Sequence, residues 1–355
     1  MNSREEHVQH PAGKIRGNLR ASVAFKTAEF RRHLLSWYRR HGRDLPWRRT
    51  CDPYAVLVSE LMLHQTQVVT VVPYYREWLL RFPDFAILAR ASENEVLRAW
   101  QGLGYYARAQ NLHSTARIIV DRHHGRFPRA IEQMRRLPGI GKYTSHAVAS
   151  FAFHRPVPIV EANTARVLAR LFNFRQSIDS AVGRKILWQH AASLLPKSGA
   201  STFNSALLDL GALVCVARKP KCNLCPVKAF CRATNPAALP VRRPRREAKR
   251  LIENHALIVR RGQILLEQSS HRWKGMWILP PLEVDCLKES ISQALPVYES
   301  VFPFTHHRVT FAVYRRGAPK RIAPEQQWFG SIEDVAMPVP HRRAAQRLIQ
   351  TLVER

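Results

Sequence analysis

The chain has 355 residues, 46% of them hydrophobic, with 56 Lys plus Arg against 26 Asp plus Glu, a formal charge of +30 and a pI near 11.0. That apolar content excludes an intrinsically disordered chain, and no run approaches the roughly 18 apolar residues that span a bilayer. A cationic excess of this size repels itself unless a polyanion is the usual partner, and nucleic acid leads the candidates.

Residues 1–22 read as a disordered basic leader, without the apolar stretch of a signal peptide. A reducing, cytoplasmic setting is expected, which suits free thiols. From about Ala24 to Asn235 apolar residues recur every three to four, punctuated by Pro and Gly. Helices are predicted near 24–40, 54–70, 73–80, 93–100, 105–123, 129–135, 142–153, 161–172, 181–195 and 202–215.

Leu137-Pro138-Gly139-Ile140-Gly141-Lys142-Tyr143-Thr144 opens one of these helices through two glycines flanking an apolar residue. Backbone N–H groups exposed by such a turn can hold a phosphate, as in a helix-hairpin-helix. Taken alone, it is also an ordinary turn between helices.

The last of these helices runs into Cys215, Cys222, Cys225 and Cys231, spaced Cys-x6-Cys-x2-Cys-x5-Cys. Thiolates this close can converge on one soft metal centre, and the spacing leaves zinc and an iron–sulfur cluster both open. Arg218, Lys219 and Lys221 lie between the first two cysteines and suit phosphates. Residues 236–250, with Pro236, Pro240 and Pro244 among arginines, read as a stiff basic linker.

Beyond Arg250 the period shortens towards two. His255–Arg260 and Gln263–Gln268, joined by Arg261-Gly262, read as a hairpin; Val309–Tyr314 is another strand and the last residues a helix. The expected chain is multidomain: an all-α domain over 23–235 with a metal loop at 215–231, then a small α+β domain over 251–355.

The glycine turn followed about 75 residues later by these cysteines resembles the iron–sulfur branch of the helix-hairpin-helix DNA glycosylases. Within that branch, Leu45-Pro46-Trp47-Arg48, Ser59-Glu60-Leu61-Met62-Leu63-His64-Gln65-Thr66-Gln67-Val68 and Gly102-Leu103-Gly104-Tyr105-Tyr106-Ala107-Arg108 are similar to the adenine DNA glycosylases, the MutY family. The likeness runs from about residue 25 into the C-terminal domain. It implies base excision repair that removes adenine mispaired with 8-oxoguanine or guanine in double-stranded DNA. It also implies a [4Fe–4S] cluster on the four cysteines and a Nudix-like C-terminal domain.

The resemblance makes Glu60 the acid that protonates adenine at N7, and its apolar neighbours Leu61, Met62 and Leu63 would raise its pKa as that role needs. A second carboxylate, an Asp in the family's Asp-Gly-Asn stretch, steadies the oxocarbenium-like sugar. Here the stretch is Glu161-Ala162-Asn163. The extra methylene advances the carboxylate by ~1.5 Å, and a misplacement on the order of 1 Å can cost about a hundredfold in rate. Asn163 would orient the acids or a water.

Tyr143 stands where bifunctional relatives carry a Schiff-base lysine, so base removal without strand cleavage is expected. The family also gives Tyr143 a hydrogen bond near position 161. His64 replaces the family's Gln four residues after Glu60, on the same helical face. Protonated, it would oppose the acid; neutral, it could contact the base. Gln65 and Tyr105 match the family's wedge positions, while Gly139, Gly141, Lys142 and the cluster-loop cations grip phosphates.

Trp273–Pro280 resembles the strand and turn before a Nudix box, whose metal ligands have no counterpart between Glu283 and Glu289. The domain is therefore expected to read a lesion, through Thr305 and His306 of Phe304-Thr305-His306. The expected protein is a monomeric, nucleoid-associated, monofunctional adenine glycosylase. The alternatives are a thymine or uracil mismatch glycosylase, and a damage-binding protein weakened through Glu161 and His64.

Overall fold

The computed structural model describes residues 26–244, 247–282, 295–304 and 306–353. The leader, the stretch from Glu283 to Glu289 and Thr305 lie outside the described residues.

The first part of the chain is helical: α1 Thr27–His41, α2 Pro53–Leu63, α3 Val68–Arg81, α4 Phe85–Arg90, α5 Glu93–Ala99, α6 Ala107–His123, α7 Ile131–Met134, α8 Lys142–Phe151, α9 Ala162–Leu171, α10 Ala181–Leu194 and α11 Ala200–Asp209. Asp52 starts α2, its carboxylate accepting from the N–H groups of Tyr54 and Ala55, with Pro53 in the first turn. Every residue from Tyr54 to Met62 is buried, so α2 is the central helix of this domain.

The single helix expected over 54–70 is in fact two. α2 stops at Leu63, His64 is extended and Gln65 takes a left-handed φ of 60°. The boundary expected at Pro73 does not exist, because α3 runs through that proline. Proline there removes only the bond to the carbonyl four residues back, that of Val69, which is 75% exposed and open to water.

The helices build two apolar clusters. α2 to α8 close around Leu57, Trp78 and Trp100. α1 packs with α9 to α11 and the cysteine loop around Phe30, Leu168 and Phe203. The site lies in the cleft between them.

The strands are β1 Lys249–Arg260, β2 Gln263–Gln268, β3 Trp277–Ile278, β4 Tyr298–Phe304, β5 His307–Arg316 and β6 Gln326–Phe329, followed by helix α12, Val339–Val353. Strand order is β3-β2-β1-β5-β4, with β6 beside β2. β1 runs parallel to β5 from Lys249↔His307 to Ile258↔Arg316, and the expected hairpin pairs Arg260 with Gln263. Its turn residues, Arg261 (φ 49°) and Gly262 (φ 73°), supply the left-handed pair that a tight hairpin needs.

This sheet domain is seated on the helices. Trp273, Met276, Ile278 and Ala336 join the first helical cluster. Gln110 donates to Glu93 Oε1 (2.8 Å) and to the Lys274 carbonyl (2.9 Å), and Arg98 pairs with Asp334. At Gly275 the φ of 80° favours glycine, and a Cβ would come within 2.8 Å of Glu93 Oε1, which would have to swing away from its bond with Gln110.

Candidate active site

Glu60 sits on α2 with 4% of its surface exposed. Burial pushes its pKa up to about 7; a hydrogen bond from the Tyr143 hydroxyl and the Arg48 charge pull the other way, and the Glu161 charge adds to the rise. Burial, then the nearby carboxylates, hold the Tyr143 phenol well above its usual range, so it stays a neutral donor. Tyr143 was expected to bond near position 161; its hydroxyl lies within electrostatic reach of both Glu161 and Glu60 and is hydrogen-bonded to Glu60.

Glu161 is the N-cap of α9. Its Oε1 accepts from the N–H of Asn163 (2.8 Å) and of Thr164 (2.9 Å), while Thr164 Oγ1 accepts from the Glu161 N–H (2.8 Å). This reciprocal capping box fixes the side chain. Its other oxygen is 3.4 Å from Asn163 Nδ2. Burial raises its pKa, opposed mainly by those backbone N–H groups. Glu60, Glu161, Asn163, Tyr143 and His64 line one cavity of about 580 Å³.

His64 is not on the helical face of Glu60. It caps the end of α2, its Nε2 is 3.4 Å from Thr144 Oγ1, and its ring lies 6.1 Å from that of Tyr143. Burial and then Arg108 lower its pKa, which keeps it neutral. The cationic neighbour that would have opposed an acid at Glu60 is therefore absent.

Gln65 lines the cavity, while Tyr105 is 51% exposed; both hold left-handed backbones, at 60° and 49°. Buried Arg108 ties their loops together. Its Nη1 donates to the carbonyls of Leu61, Met62 and His64 at 2.7–2.9 Å, and its Nη2 to those of Leu103 and Gly104 at 3.0 and 2.9 Å.

In the glycine turn, a Cβ on Gly139 (φ 73°) would meet Asn111 Cβ at 2.8 Å, so glycine is required there. Gly141 is the exposed N-cap of α8, with nothing within 4 Å of a Cβ. Lys142 is exposed and its Nζ lies 4.0 Å over the Trp188 ring. His306 is also exposed.

The four loop cysteines are unpaired and half-buried, with Cys225 in electrostatic reach of the other three. Arg170 Nη1 donates to Cys215 Sγ (3.3 Å) and to the Val216 carbonyl (2.7 Å). An all-thiol set with a cation beside one sulfur fits an anionic iron–sulfur cluster. Arg218, Lys219 and Lys221 stand exposed on this loop.

Sequence reasoning missed three cations besides Arg170, two of them buried and one half-buried. Arg108 is one. Arg48 is another: with Arg43 it clasps Asp209, which is fully buried and accepts from both guanidinia at 2.6–2.8 Å. Burial would raise the Asp209 pKa, but those bonds and charges bring it below its ordinary value. Arg166 links Asn163 to the loop, donating to Asn163 Oδ1, the Gly211 carbonyl and the Cys215 carbonyl, each at 2.8 Å. Arg166 and Arg170, four apart in the otherwise apolar run from Ala165 to Leu171 of α9, were the available signal.

The profile of the HhH-GPD superfamily base excision DNA repair proteins matches residues 58–191, and that of the iron-sulfur binding domain of endonuclease III matches 215–231. The adenine DNA glycosylase of Mycolicibacterium smegmatis is 43% identical over 219 residues, 61% of this chain and 74% of that protein. The Homo sapiens adenine DNA glycosylase is 44% identical over 220 residues, 59% of this chain and 40% of that one. The chain spans about half the length of the first curated relatives it matches, 40–59% of each. Among solved structures, a thermostable thymine-DNA glycosylase is similar at 32% identity and a TM-score of 0.54, over 58% of this chain and 95% of that one. An endonuclease III–DNA complex, at 22% identity and a TM-score of 0.50 over 58% and 95%, shares the fold.

Proposed function

Since the chain belongs to the adenine DNA glycosylase family within the HhH-GPD superfamily, we propose that it hydrolyses the N-glycosidic bond of adenine mispaired with 8-oxoguanine or guanine. The observation that carries this is one cavity holding a buried carboxyl with a pKa of about 7 and a second, separately capped carboxylate. Burial raises both carboxyls, Glu60 to about 7, and the backbone N–H groups of the cap oppose the rise at Glu161, an arrangement that suits an acid and a charge stabiliser.

Glu60 delivers a proton to the departing base, with Tyr143 holding the carboxyl in place. As electrons leave the sugar, Glu161 faces the growing positive charge, and Asn163 orients it or the attacking water. Tyr143 offers no amine for an imine, so the strand stays intact. Gln65 and Tyr105 occupy the gap left by the extruded nucleotide. Gly139, Gly141, Lys142 and the loop cations hold phosphates of double-stranded DNA, and the protein acts on it as a monomer at the nucleoid. When bound on Cys215, Cys222, Cys225 and Cys231, the [4Fe–4S] cluster staples the basic loop into shape.

The domain from 251 to 355 is read as Nudix-like and as the sensor of 8-oxoguanine, through Thr305 and His306. A thymine or uracil mismatch glycosylase is the second reading, favoured by the likeness to the thymine-DNA glycosylase. That likeness covers 58% of the chain, less than the helical and sheet domains together. Single-turnover assays with A, T or U opposite G or 8-oxoguanine separate the readings. Release of adenine alone, fastest opposite 8-oxoguanine, is the expected result. Release of a pyrimidine instead, or tight binding without release, overturns it.

A further inference from the structure

Tyr143 walls two spaces. On one side is the catalytic cavity; on the other is an open groove of about 750 Å³ between α8 and α10. Lys142, Arg184, Lys185, Trp188 and His146 line that groove, and no acidic side chain does. Arg184 and Lys185 are exposed and make no ion pair with any described residue. The half-buried Trp188 indole is the floor: Lys142 Nζ rests 4.0 Å over its ring, and the His146 ring meets it edge-on at 4.8 Å.

We propose that this groove is a second nucleotide subsite: it takes the phosphodiester next to the extruded nucleotide, with the adjoining sugar against Trp188. The inference rests on the reading of the chain as a glycosylase that extrudes its target. The groove adjoins the catalytic cavity across Tyr143, so it is open to the strand next to a target that occupies that cavity. Its lining answers the chemistry of a phosphodiester, with three cations for the charge and an aromatic face for the sugar. Burial and then Arg135 lower the Lys142 pKa, and a phosphate in the groove would favour its charged form.

The test measures binding on an uncleavable duplex, its target adenosine fluorinated at the sugar 2′ position, so the answer does not depend on which base is released. Neutral methylphosphonate linkages are placed one at a time along both strands, against the wild type and the R184A/K185A double variant. The double variant should bind about tenfold more weakly near physiological salt, with a salt slope shallower by about one to two. A methylphosphonate beside the target should weaken wild-type binding about as much, and should add much less in the variant, where Lys142 alone remains. Trp188→Ala should weaken binding to the unmodified duplex at unchanged salt slope, because it removes no charge. Additive penalties at every linkage, or a variant that binds as tightly as wild type, would reduce the groove to a diffuse basic surface and overturn the proposal. If adenine release fails in the earlier assay while the linkage-specific coupling persists, the base assignment is wrong and the subsite stands.

Discussion

Arg166 Nη2 donates to Asn163 Oδ1 at 2.8 Å while its Nε donates to the Cys215 carbonyl at 2.8 Å, so one guanidinium joins the neighbour of Glu161 to the metal loop. An amide at this position can satisfy only part of that set, and each buried acceptor left bare costs roughly 1–3 kcal/mol. Arg166→Gln is therefore expected to lower both iron content and base release. The second loss should persist after rates are corrected for iron bound per protein. A corrected rate equal to wild type would confine Arg166 to holding the loop.

Base release should be fast in mild acid and fall as pH rises through about 7, because Glu60 must carry its proton to act and burial sets its pKa there. Opening its surroundings should move the limb. Tyr143→Phe deletes a hydrogen bond that lowers the Glu60 pKa, so the falling limb should shift to higher pH. A single-turnover pH profile of both proteins decides it, and a shift to lower pH would contradict the assignment of that bond.

Glu161→Asp is expected to slow base release, by about ten- to a hundredfold. Aspartate would still cap α9. The cavity, however, is arranged around a carboxylate one methylene longer, held by Asn163 and Thr164. Glu161→Gln should abolish release while leaving duplex affinity close to wild type. A faster Glu161→Asp enzyme would show that the longer side chain overshoots the sugar.

Much of this site was legible in the residues. The run from Pro53 to Leu63 is apolar enough to announce a buried helix, and that alone implies an elevated pKa at Glu60. Gly139 and the cysteine spacing were readable because backbone sterics and ligand chemistry are local. The place of His64 was not, because α2 ends where Arg108, 44 to 47 residues away, takes the carbonyls of Leu61, Met62 and His64. A helix end fixed by so distant a side chain leaves no local mark. β4 was passed over for a different reason: Tyr298, Val301, Phe302 and Phe304 favour a strand and burial alternates along it, but no residue is fully buried, Ser300 holds a half-buried place, Val301 an exposed one, and Pro303 interrupts the run. Its existence depends on pairing with β5.

Arg108→Ala should uncouple the two loops that carry Gln65 and Tyr105. Its six carbonyl acceptors would lose their donor, and α2 would lose the cation at its C-terminal end. Duplex affinity is expected to change little, since phosphates are held elsewhere, while extrusion fails. A fluorescent adenine analogue at the target position reports this: the rise in emission on unstacking, present with wild type, should be largely lost. An undiminished rise would show that the loops hold their shape without the arginine.

The sheet domain should weaken as pH falls below the ordinary histidine range. His341 is fully buried, and its Nδ1 accepts from the Leu279 N–H at 3.1 Å, which leaves the proton on an Nε2 without a partner among the described residues. His255, 4.6 Å away between ring centres, donates from Nδ1 to the Leu279 carbonyl at 2.8 Å. Burial takes the His255 pKa down to about 4, with the Arg272 charge adding to the fall, and takes that of His341 well below its ordinary value. Both rings are thus neutral when folded, whereas the unfolded chain binds protons at a pKa of about 6.5. Stability is complete above that value and is lost as pH drops towards 4. His255 alone accounts for a decline on the order of 3 kcal/mol across the window. Thermal melts of the wild type from pH 7.5 to 4.5 should show the decline, and His341→Asn should make it shallower while leaving the share of His255, because an amide keeps an acceptor for Leu279 and does not titrate. A pH slope as steep in the variant as in the wild type would assign the acid sensitivity to other groups.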